Sequence, residues 1–459
     1  MKRYIIIALA VLLVFTFFLR LSNFKKERPL TFDEYVYSVI GTQAGGGLSA
    51  YNTIGIYEDE RGKGRKLPKY FKRPLFKHPP VFPYLVSVNL AVFGKTFYSA
   101  FKVSLFFGVL LILLTYLMCE ALFKDREAAL YAAFLMSVEP ISWMCSQKIW
   151  METTLAFFTL LSLYLFLLAV RKYNPYLVLA SGVSCGLAAL TKYPGILAVV
   201  IIFLYALCYE RRLFKKKAFI ASLFIPFIMV IPWFWWYYRV YGADFPSELY
   251  KAHSLIIVFR KRKYQPYMFV AMNAIAILTA ALIFLKNNKI KGAIIAVCAA
   301  FMFFILRSQL FNAFDPAHVP AAGWKIAMFS REPWHFYLGR MLEFSPFYLF
   351  SFLGLLLFVV DKDRTKKYAF LVLSVSVILA FYIWWRNYQS RYVLVITAPL
   401  MILSAMAQVN IWRRIKMLPQ KRFISLGAAL LFAGVVIFFL AKTIRVDMQL
   451  AVPNAVCYF

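Results

Sequence analysis

Two adjacent carboxylates follow shortly after the first apolar stretch of the sequence, in the pentapeptide Asp33-Glu34-Tyr35-Val36-Tyr37. A carboxylate just outside the hydrocarbon of a membrane can take a proton from an acceptor hydroxyl group, at a surface where soluble enzymes seldom operate. The pair therefore indicates chemistry on a lipid-borne substrate. The structural alternative is that both residues cap an interfacial helix, because the amino terminus of a helix favours negative charge.

Two basic positions further along suit the recognition of a phosphate. His78 is followed by the rigid pair Pro79-Pro80, and a cationic or hydrogen-bond-donating side chain held in this way could grip a phosphate at the interface. Lys192 interrupts a long apolar stretch, and it could extend to a lipid phosphate or neutralise a substrate phosphate. The alternatives are a histidine in an ordinary turn and a lysine that merely anchors its helix.

A third carboxylate and two arginines complete the charged candidates. Glu152 opens the fourth predicted span, where a carboxylate also gains from the helix dipole without any function. Arg386 and Arg391 flank a short polar loop between two late spans. Arginine binds phosphate in bidentate fashion, although arginines beside a membrane commonly anchor helices as well.

The segment 331–337 mixes charge with aromatic side chains, of which Arg331, Trp334 and Tyr337 are the candidates for contact with an acceptor. Such a mixture suits a lid that faces a sugar or a lipid. An aromatic belt at the membrane interface would explain the same composition.

The composition defines the class of protein that carries these residues. The chain has 459 residues with 62% hydrophobic side chains, a mean hydropathy of +0.69 and a net charge of +33. Apolar runs recur to its end, which predicts an all-α, polytopic integral membrane protein. Most basic residues lie between these runs, where they set the topology and contact anionic lipid. Nucleic acid binding is not predicted, because the sequence has no basic domain with interleaved aromatic residues.

Hydropathy predicts about thirteen transmembrane helices. The predicted spans cover residues 4–21, 101–119, 127–144, 152–170, 176–190, 195–209, 218–238, 266–285, 292–306, 344–360, 368–385, 392–410 and 423–441. The first follows Met1-Lys2-Arg3 without a cleavage site, which predicts a retained signal-anchor with the amino terminus in the cytoplasm. With the amino terminus in the cytoplasm, the short basic loops between spans are predicted on the cytoplasmic side, as the positive-inside rule expects.

The predicted organisation is one transmembrane domain, residues 1–441, followed by a short external tail, residues 442–459. Three long external segments, 22–100, 239–265 and 307–343, carry most of the candidate residues. Within the first of them, residues 79–93 are apolar and too short to span, which predicts an interfacial helix.

No cofactor is predicted. The four histidines lack the spacing of metal ligands, no cysteine pair has CxxC spacing, and there is neither a Walker loop nor a GxGxxG motif. Whether a divalent metal takes part stays open.

Taken in order, six short motifs resemble those of one family. They are Asp33-Glu34-x-x-Tyr37, His78-Pro79-Pro80, Met151-Glu152, Leu190-Thr191-Lys192-x-Pro194, Arg331-Glu332-Pro333-x-x-Phe336-Tyr337-Leu338, and Arg391-Tyr392 with Pro399. The chain resembles, over nearly its whole length, the GT-C fold glycosyltransferases related to dolichyl-phosphate-mannose-protein mannosyltransferase and the lipid A aminoarabinose transferase.

The resemblance implies transfer of a sugar from a polyprenyl-phosphate-linked donor, usually with inversion, to an acceptor outside the cytoplasm. It implies Asp33 as general base, Glu34 as its neighbour and Glu152 as a second acidic position. The positions it implies for the donor phosphate or the cavity wall are His78, Lys192 and Arg391, and Tyr37 and Arg386 are further candidates for the same cavity. Two departures are that Val36 stands where some relatives carry a basic residue, and that His78 stands where the lipid A branch has lysine.

The sequence therefore predicts a membrane glycosyltransferase of the cytoplasmic membrane with its active site on the external face. Its predicted partners are a polyprenyl-phosphate-sugar donor, a lipid, glycan or protein acceptor, and membrane lipids. A transporter or flippase of a lipid-linked glycan is the rival from another class, but internal repeats and charges at the bilayer midplane are not evident. A glycan polymerase or ligase would differ mainly in its acceptor.

Overall fold

The structure is a computed structural model, and nearly all of its regular secondary structure is helical. It describes residues 2–22, 30–64, 74–246, 273–275, 277–279, 288–318, 327–328, 335–360, 365–385, 387–417 and 422–450. Helices satisfy every backbone group internally, which an apolar chain in lipid requires. Among the described residues, β structure amounts to an isolated bridge between Asn52 and Pro74 and one antiparallel pair of two-residue strands, β1 (Ala327–Met328) and β2 (Asn387–Tyr388).

The helices follow one another along the chain with short turns between many of them. Those of the first half are α1 (Lys2–Ser22), α2 (Phe32–Ala44), α3 (Ile54–Gly62), α4 (Val81–Phe93), α5 (Phe97–Phe123), α6 (Arg126–Ser137), α7 (Pro140–Ser146), α8 (Glu152–Arg171), α9 (Pro175–Thr191), α10 (Leu197–Tyr209) and α11 (Lys217–Tyr241). Those of the second half are α12 (Asn288–Ile305), α13 (Arg307–Phe314), α14 (Phe336–Phe344), α15 (Phe347–Val360), α16 (Thr365–Trp385), α17 (Leu394–Lys416) and α18 (Arg422–Leu450).

Seven helices of the described residues are long and apolar enough to cross a membrane, or up to nine if each of two bent pairs forms one span. Three shorter apolar helices accompany them. The predicted helical regions are therefore confirmed as helices wherever the chain is described, whereas the total of about thirteen spans stays a prediction. The predicted span 266–285 lies outside the described residues except for residues 273–275 and 277–279.

The chain forms two compact units, which we call the motif unit (residues 20–110, 145–266 and 456–459) and the second unit (residues 1–19, 111–144 and 267–455). The motif unit contains six of the candidates, Asp33, Glu34, Tyr37, His78, Glu152 and Lys192, whereas Tyr337 and Arg391 belong to the second unit.

In the motif unit, α9 packs against both α8 and α11. Gly182 and Gly186 of α9 face α11 so closely that a Cβ on Gly182 would lie 2.6 Å from the carbonyl oxygen of Ser222. On the side of α8, Ser162 and Ser181 exchange hydroxyl-to-carbonyl hydrogen bonds of 2.9 and 2.8 Å. Small residues and interhelical hydrogen bonds of this kind let helices associate tightly in lipid.

In the second unit, α17 is the central helix and packs against α6, α15 and α16. Ser351 donates to the carbonyl of Leu400 at 2.7 Å, and Ser404 donates to the carbonyl of Phe347 at 3.0 Å. At one end of α17, Arg413 pairs with Asp125, just before α6, at 2.6 Å. Because Asp125 and Arg413 lie in predicted cytoplasmic loops, the ion pair agrees with their assignment to one face.

One predicted span, 127–144, is divided in the structure, since α6 and α7 meet at a bend of 59°. Proline disfavours a helical conformation in the residue before it, and here Glu139 precedes Pro140. The buried Glu139 carboxylate accepts hydrogen bonds from the backbone N–H of Ile141 at 3.1 Å and of Ser142 at 2.6 Å, and from the hydroxyl of Tyr348 at 2.7 Å. These bonds satisfy the first N–H groups of α7 inside an apolar span.

The last helix, α18, continues to Leu450, beyond the predicted end of its span at residue 441. Lys442 donates to the carbonyls of Asp315 and His318, and Arg445 donates to the carbonyl of Pro316 at 2.6 Å. The first part of the segment predicted as a tail is therefore helical and holds the turn that follows α13.

Candidate active site

The amino terminus of α2 carries the paired carboxylates and is closed by a capping box. Thr31 is the N-cap residue, and its hydroxyl oxygen accepts from the backbone N–H of Glu34 at 3.4 Å. One carboxylate oxygen of Glu34 accepts from the backbone N–H of Thr31 at 3.0 Å. Asp33 lies in the first turn between these two residues and is partly exposed. The cap thus fixes the backbone on both sides of Asp33.

Glu34 also connects α2 to the segment that leads into α8. Its second carboxylate oxygen accepts from the backbone N–H of Ile149 at 3.0 Å, and the indole N–H of Trp150 donates to the hydroxyl of Thr31 at 3.3 Å. Glu34 is fully buried, so these bonds are shielded from water. The start of α2 and the residues before Glu152 are therefore held as one structure.

Ser104 of α5 supports the same segment from another direction. Its hydroxyl donates to the carbonyl of Trp150 at 2.8 Å and accepts from the backbone N–H of Trp150 at 3.2 Å. Residues 147–150 are not helical, yet they are buried. Buried non-helical backbone needs such partners, because its polar groups have little water to bond to.

Glu152 and Lys192 form an ion pair in the motif unit. The Nζ atom of Lys192 lies 2.9 Å from Oε1 of Glu152, and the two side chains are 17% and 1% exposed. The pairing follows from the antiparallel arrangement of α8 and α9, because Glu152 begins the first helix and Lys192 directly follows the second. A buried pair of this kind is neutral as a whole, so neither charge is left uncompensated.

His78 lies against the α2 helix. The hydroxyl of the buried Tyr37 lies 3.4 Å from Nδ1 of His78, and the two rings meet edge to face with their centroids 4.9 Å apart. Tyr37 follows Asp33 by one helical turn, so the two residues occupy the same side of α2. Asp33, Glu34 and Tyr37 thus share the first turns of α2, and His78 contacts this helix through Tyr37.

The remaining candidates fall in the second unit or outside the described residues. Arg391 is buried, with its guanidinium 5.5 Å from the centroid of the Tyr392 ring, and Tyr337 is buried at the start of α14. Tyr337 and Tyr392 each pack against Tyr382, with ring centroids 6.2 and 5.4 Å apart. Arg331, Trp334 and Arg386 lie outside the described residues.

Arg20 and Glu139 are among the buried charged residues that the sequence reasoning did not single out. Arg20, at the end of α1, is fully buried and donates to the hydroxyl of Ser146 at 2.7 Å, while Gln147 donates to its carbonyl at 3.2 Å. Glu139 caps α7, as described above. The available signal was the charge itself, because an ionisable residue inside an apolar run needs a partner and a reason to be there. Over the described parts of the chain, no group of three or more His, Cys, Asp or Glu side chains comes together that could hold a metal ion.

The family model for dolichyl-phosphate-mannose-protein mannosyltransferase matches residues 77–236. This stretch includes His78, Glu152 and Lys192 but not Asp33. A curated relative, an uncharacterized protein of Aquifex aeolicus (strain VF5), is 24% identical over 208 residues, which is 45% of this chain and 41% of the relative.

Solved structures resemble the chain over almost its whole length. The oligosaccharyltransferase of Archaeoglobus fulgidus in the apo form aligns with a TM-score of 0.60 and 16% identity, over 98% of this chain and 56% of that chain. ArnT from Cupriavidus metallidurans, bound to undecaprenyl phosphate, aligns with a TM-score of 0.51 and 13% identity, over 98% of this chain and 75% of that chain. The chain has the GT-C fold.

A further GT-C fold structure is AglB of Archaeoglobus fulgidus, in complex with an inhibitory peptide and a dolichol-phosphate. It aligns with a TM-score of 0.57 and 15% identity, over 97% of this chain and 56% of that chain. The chain thus spans little more than half the length of the oligosaccharyltransferase. The all-α GT-C fold and the resemblance predicted from the motifs are confirmed, and the roles of the individual site residues stay predictions.

Proposed function

We propose that the protein is a membrane glycosyltransferase that moves a sugar from a polyprenyl-phosphate-linked donor to an acceptor hydroxyl outside the cytoplasm. The GT-C fold and the mannosyltransferase family model support this reaction class. Two structural neighbours hold a polyprenyl phosphate, dolichol-phosphate in AglB and undecaprenyl phosphate in ArnT, which supports a lipid-linked donor.

One observation carries the proposal for this chain. The start of α2, the segment before α8 and the His78 side chain are joined by hydrogen bonds through Glu34, Thr31 and Tyr37 within the motif unit. Asp33, the proposed base, therefore lies in the same compact unit as His78 and the Glu152–Lys192 ion pair. General base catalysis and phosphate recognition both require such preorganised groups.

In the proposed reaction, the acceptor oxygen attacks the anomeric carbon of the sugar and the bond from that carbon to the phosphate oxygen breaks. Asp33 takes the proton of the hydroxyl group as the new bond forms, a contribution of about 10²- to 10⁴-fold in rate. The polyprenyl phosphate departs with its negative charge, which His78 and Lys192 of the motif unit are suited to stabilise. A single displacement inverts the anomeric configuration.

The neighbouring carboxylates have different roles in this proposal. Both oxygens of Glu34 already accept backbone N–H groups, so Glu34 positions the start of α2 rather than taking the proton. Glu152 compensates Lys192 in the protein without substrate. A phosphate that approaches Lys192 would share this cation with Glu152, which links donor binding to the second acidic position.

We further propose that the reaction takes place on the external face of the cytoplasmic membrane, with the amino terminus in the cytoplasm. The distribution of basic loops supports this orientation. Acceptor choice is assigned to the segments 239–265 and 307–343, with Arg331, Trp334 and Tyr337 as the side chains that could contact an acceptor or form a lid.

The test is a transfer assay with the full chain in phospholipid nanodiscs. The protein is incubated with a panel of polyprenyl-phosphate sugars and with cell-envelope acceptors, and the products are analysed by mass spectrometry and NMR. We expect an acceptor that gains the mass of one sugar, release of polyprenyl phosphate, and an anomeric configuration opposite to that of the donor. In proteoliposomes, movement of the lipid-linked sugar across the bilayer without transfer would instead indicate a flippase. Retained configuration would rule out single displacement.

A further inference from the structure

The short segment from Pro74 to Pro79, which carries His78, is held through its backbone carbonyls. Tyr241 donates its hydroxyl hydrogen to the carbonyl of Pro74 at 3.0 Å, and Tyr193 donates to that of Phe76 at 2.8 Å. Tyr51 donates to the carbonyl of His78 at 2.7 Å and lies 3.3 Å from that of Pro79. These tyrosines come from three separate parts of the motif unit, so the contacts are tertiary rather than local.

The side chain of Phe76 anchors the same segment in an aromatic cluster of α11. Its ring stacks on Tyr237 with centroids 3.8 Å apart, and it lies 4.5 Å from Trp236 and 5.1 Å from Trp233. Phe76 and Tyr51 are buried, and the tyrosine bonds to the carbonyls of Pro74, Phe76 and His78 are partly buried. A buried carbonyl that loses its partner is costly, which makes each of these bonds a constraint on the segment.

Tyr193 connects this segment to the other predicted phosphate-binding residue. It directly follows Lys192, and its hydroxyl group, which donates to Phe76, also accepts from the indole N–H of Trp233 at 3.0 Å. A change in the position of Phe76 would therefore be transmitted to the residue after Lys192.

Burial keeps the Tyr51 hydroxyl in its donating form. Burial first, and then the proximity of Tyr193 and Tyr84, raise the pKa of Tyr51 well above its ordinary value. The hydroxyl is therefore protonated throughout the physiological pH range and remains a donor to the His78 carbonyl.

We propose that Tyr51, Tyr193 and Tyr241 form a tyrosine clamp that fixes the Pro74–Pro79 segment and thereby sets the position of His78 relative to Lys192 for binding a lipid phosphate. The clamp tyrosines are positioning residues, since they act through the backbone of the segment. The proposal rests on the proposed function, because it assumes that the bound group is the phosphate of a polyprenyl donor.

The first measurement is hydrogen exchange of the Leu75–His78 amides in the full chain, comparing the wild type with Tyr51→Phe, Tyr193→Phe and Tyr241→Phe. Phenylalanine keeps the packed ring and removes only the hydroxyl group. We expect exchange in this segment to accelerate roughly two- to tenfold in each variant, from the loss of one buried hydrogen bond. The matched control is Tyr84→Phe, whose ring lies near Tyr51 with centroids 6.4 Å apart but whose hydroxyl holds none of these carbonyls.

The second measurement is the affinity for undecaprenyl phosphate in nanodiscs, which does not depend on turnover. The clamp variants should bind it roughly two- to tenfold more weakly, while Tyr84→Phe should bind like the wild type. Unchanged exchange in all three clamp variants, or wild-type affinity despite faster exchange, would overturn the proposal. If the wild type binds the lipid but transfers no sugar to any acceptor, the proposed function fails while both measurements still decide about the clamp.

Discussion

Asp33 and Glu34 have the same functional group, but the start of α2 gives them different surroundings. Glu34 is fully buried with both oxygens accepting backbone N–H groups, whereas Asp33 is partly exposed. Burial and saturation with donors suit a structural carboxylate, and partial exposure suits a group that must reach a substrate. The residue types alone do not distinguish the two carboxylates, because the partner of Glu34 at Ile149 is distant in the chain; only the family resemblance assigned the base to Asp33.

Replacement of Glu34 by glutamine should destabilise the protein. Whichever way the amide is turned, its NH₂ group faces one of the two backbone N–H groups of Thr31 and Ile149, which then loses its acceptor. We expect a loss of about 1–3 kcal/mol in the free energy of unfolding, seen as a lower Tm in detergent. The matched control is Glu58→Gln, an exposed carboxylate of α3, which should leave the Tm unchanged. A wild-type Tm for Glu34→Gln would refute the bridging role.

The Glu152–Lys192 pair can be tested with a double-mutant cycle. Lys192→Met removes the cation that pairs with the buried Glu152 carboxylate, at a cost of roughly 3–5 kcal/mol in stability. Adding Glu152→Gln should recover part of this loss, whereas affinity for polyprenyl phosphate should stay low in both variants that lack Lys192. Additive changes in Tm would show that the two side chains are not coupled. Recovery of lipid affinity in the double variant would assign phosphate binding elsewhere.

At the scale of helices, hydropathy was a good guide because continuous apolarity in lipid permits little besides helix. The spans assigned to residues 152–170 and 176–190 correspond to α8 and α9, and their antiparallel order already places Glu152 near Lys192. The break between α6 and α7 was not predicted. Pro140 is a local signal for such a break. The bond from Tyr348 to Glu139 is tertiary, because the two residues are distant in the chain.

The close approach of α9 and α11 gives a prediction at this scale. A Cβ on Gly182 would lie 2.6 Å from the carbonyl oxygen of Ser222, and the backbone of α11 cannot move as a flexible side chain would. Gly182→Val should therefore lower the stability by about 1–3 kcal/mol through overpacking, measured as a decrease in Tm. Gly427→Val in α18 is the control, because a Cβ at Gly427 meets no atom within 4 Å. Equal effects of the two substitutions would contradict the packing described for α9.

For the whole molecule, the GT-C structures align over 96% or more of the chain length. The short motifs indicate this fold at only a few positions. The motifs could be recognised from their order in the sequence, and those at the start of α2, before α8 and after α9 are joined by the Glu34–Ile149 and Glu152–Lys192 contacts. The tyrosine clamp could not, because isolated tyrosines in an apolar sequence carry no signal of the carbonyls they bind.

The membrane orientation predicts a labelling pattern for introduced cysteines. Glu127 and Met417 flank the Arg413–Asp125 ion pair at one end of the second unit and are exposed, as is Glu58 of α3. In intact cells, a membrane-impermeant thiol reagent should label Glu58→Cys but not Glu127→Cys or Met417→Cys. Permeabilised cells should show labelling of all three above the background of the native cysteines. The reverse pattern would place the Asp33 region in the cytoplasm and would exclude the proposed external reaction.

The most direct test of the central claim is the rate of sugar transfer by Asp33→Asn. Asparagine keeps the size of the side chain but cannot accept the proton, so kcat should fall by about 10²- to 10⁴-fold. Affinity for undecaprenyl phosphate and the Tm should stay at their wild-type values, because the capping box depends on Thr31 and Glu34. Wild-type turnover in Asp33→Asn would contradict the assignment of Asp33 as the general base.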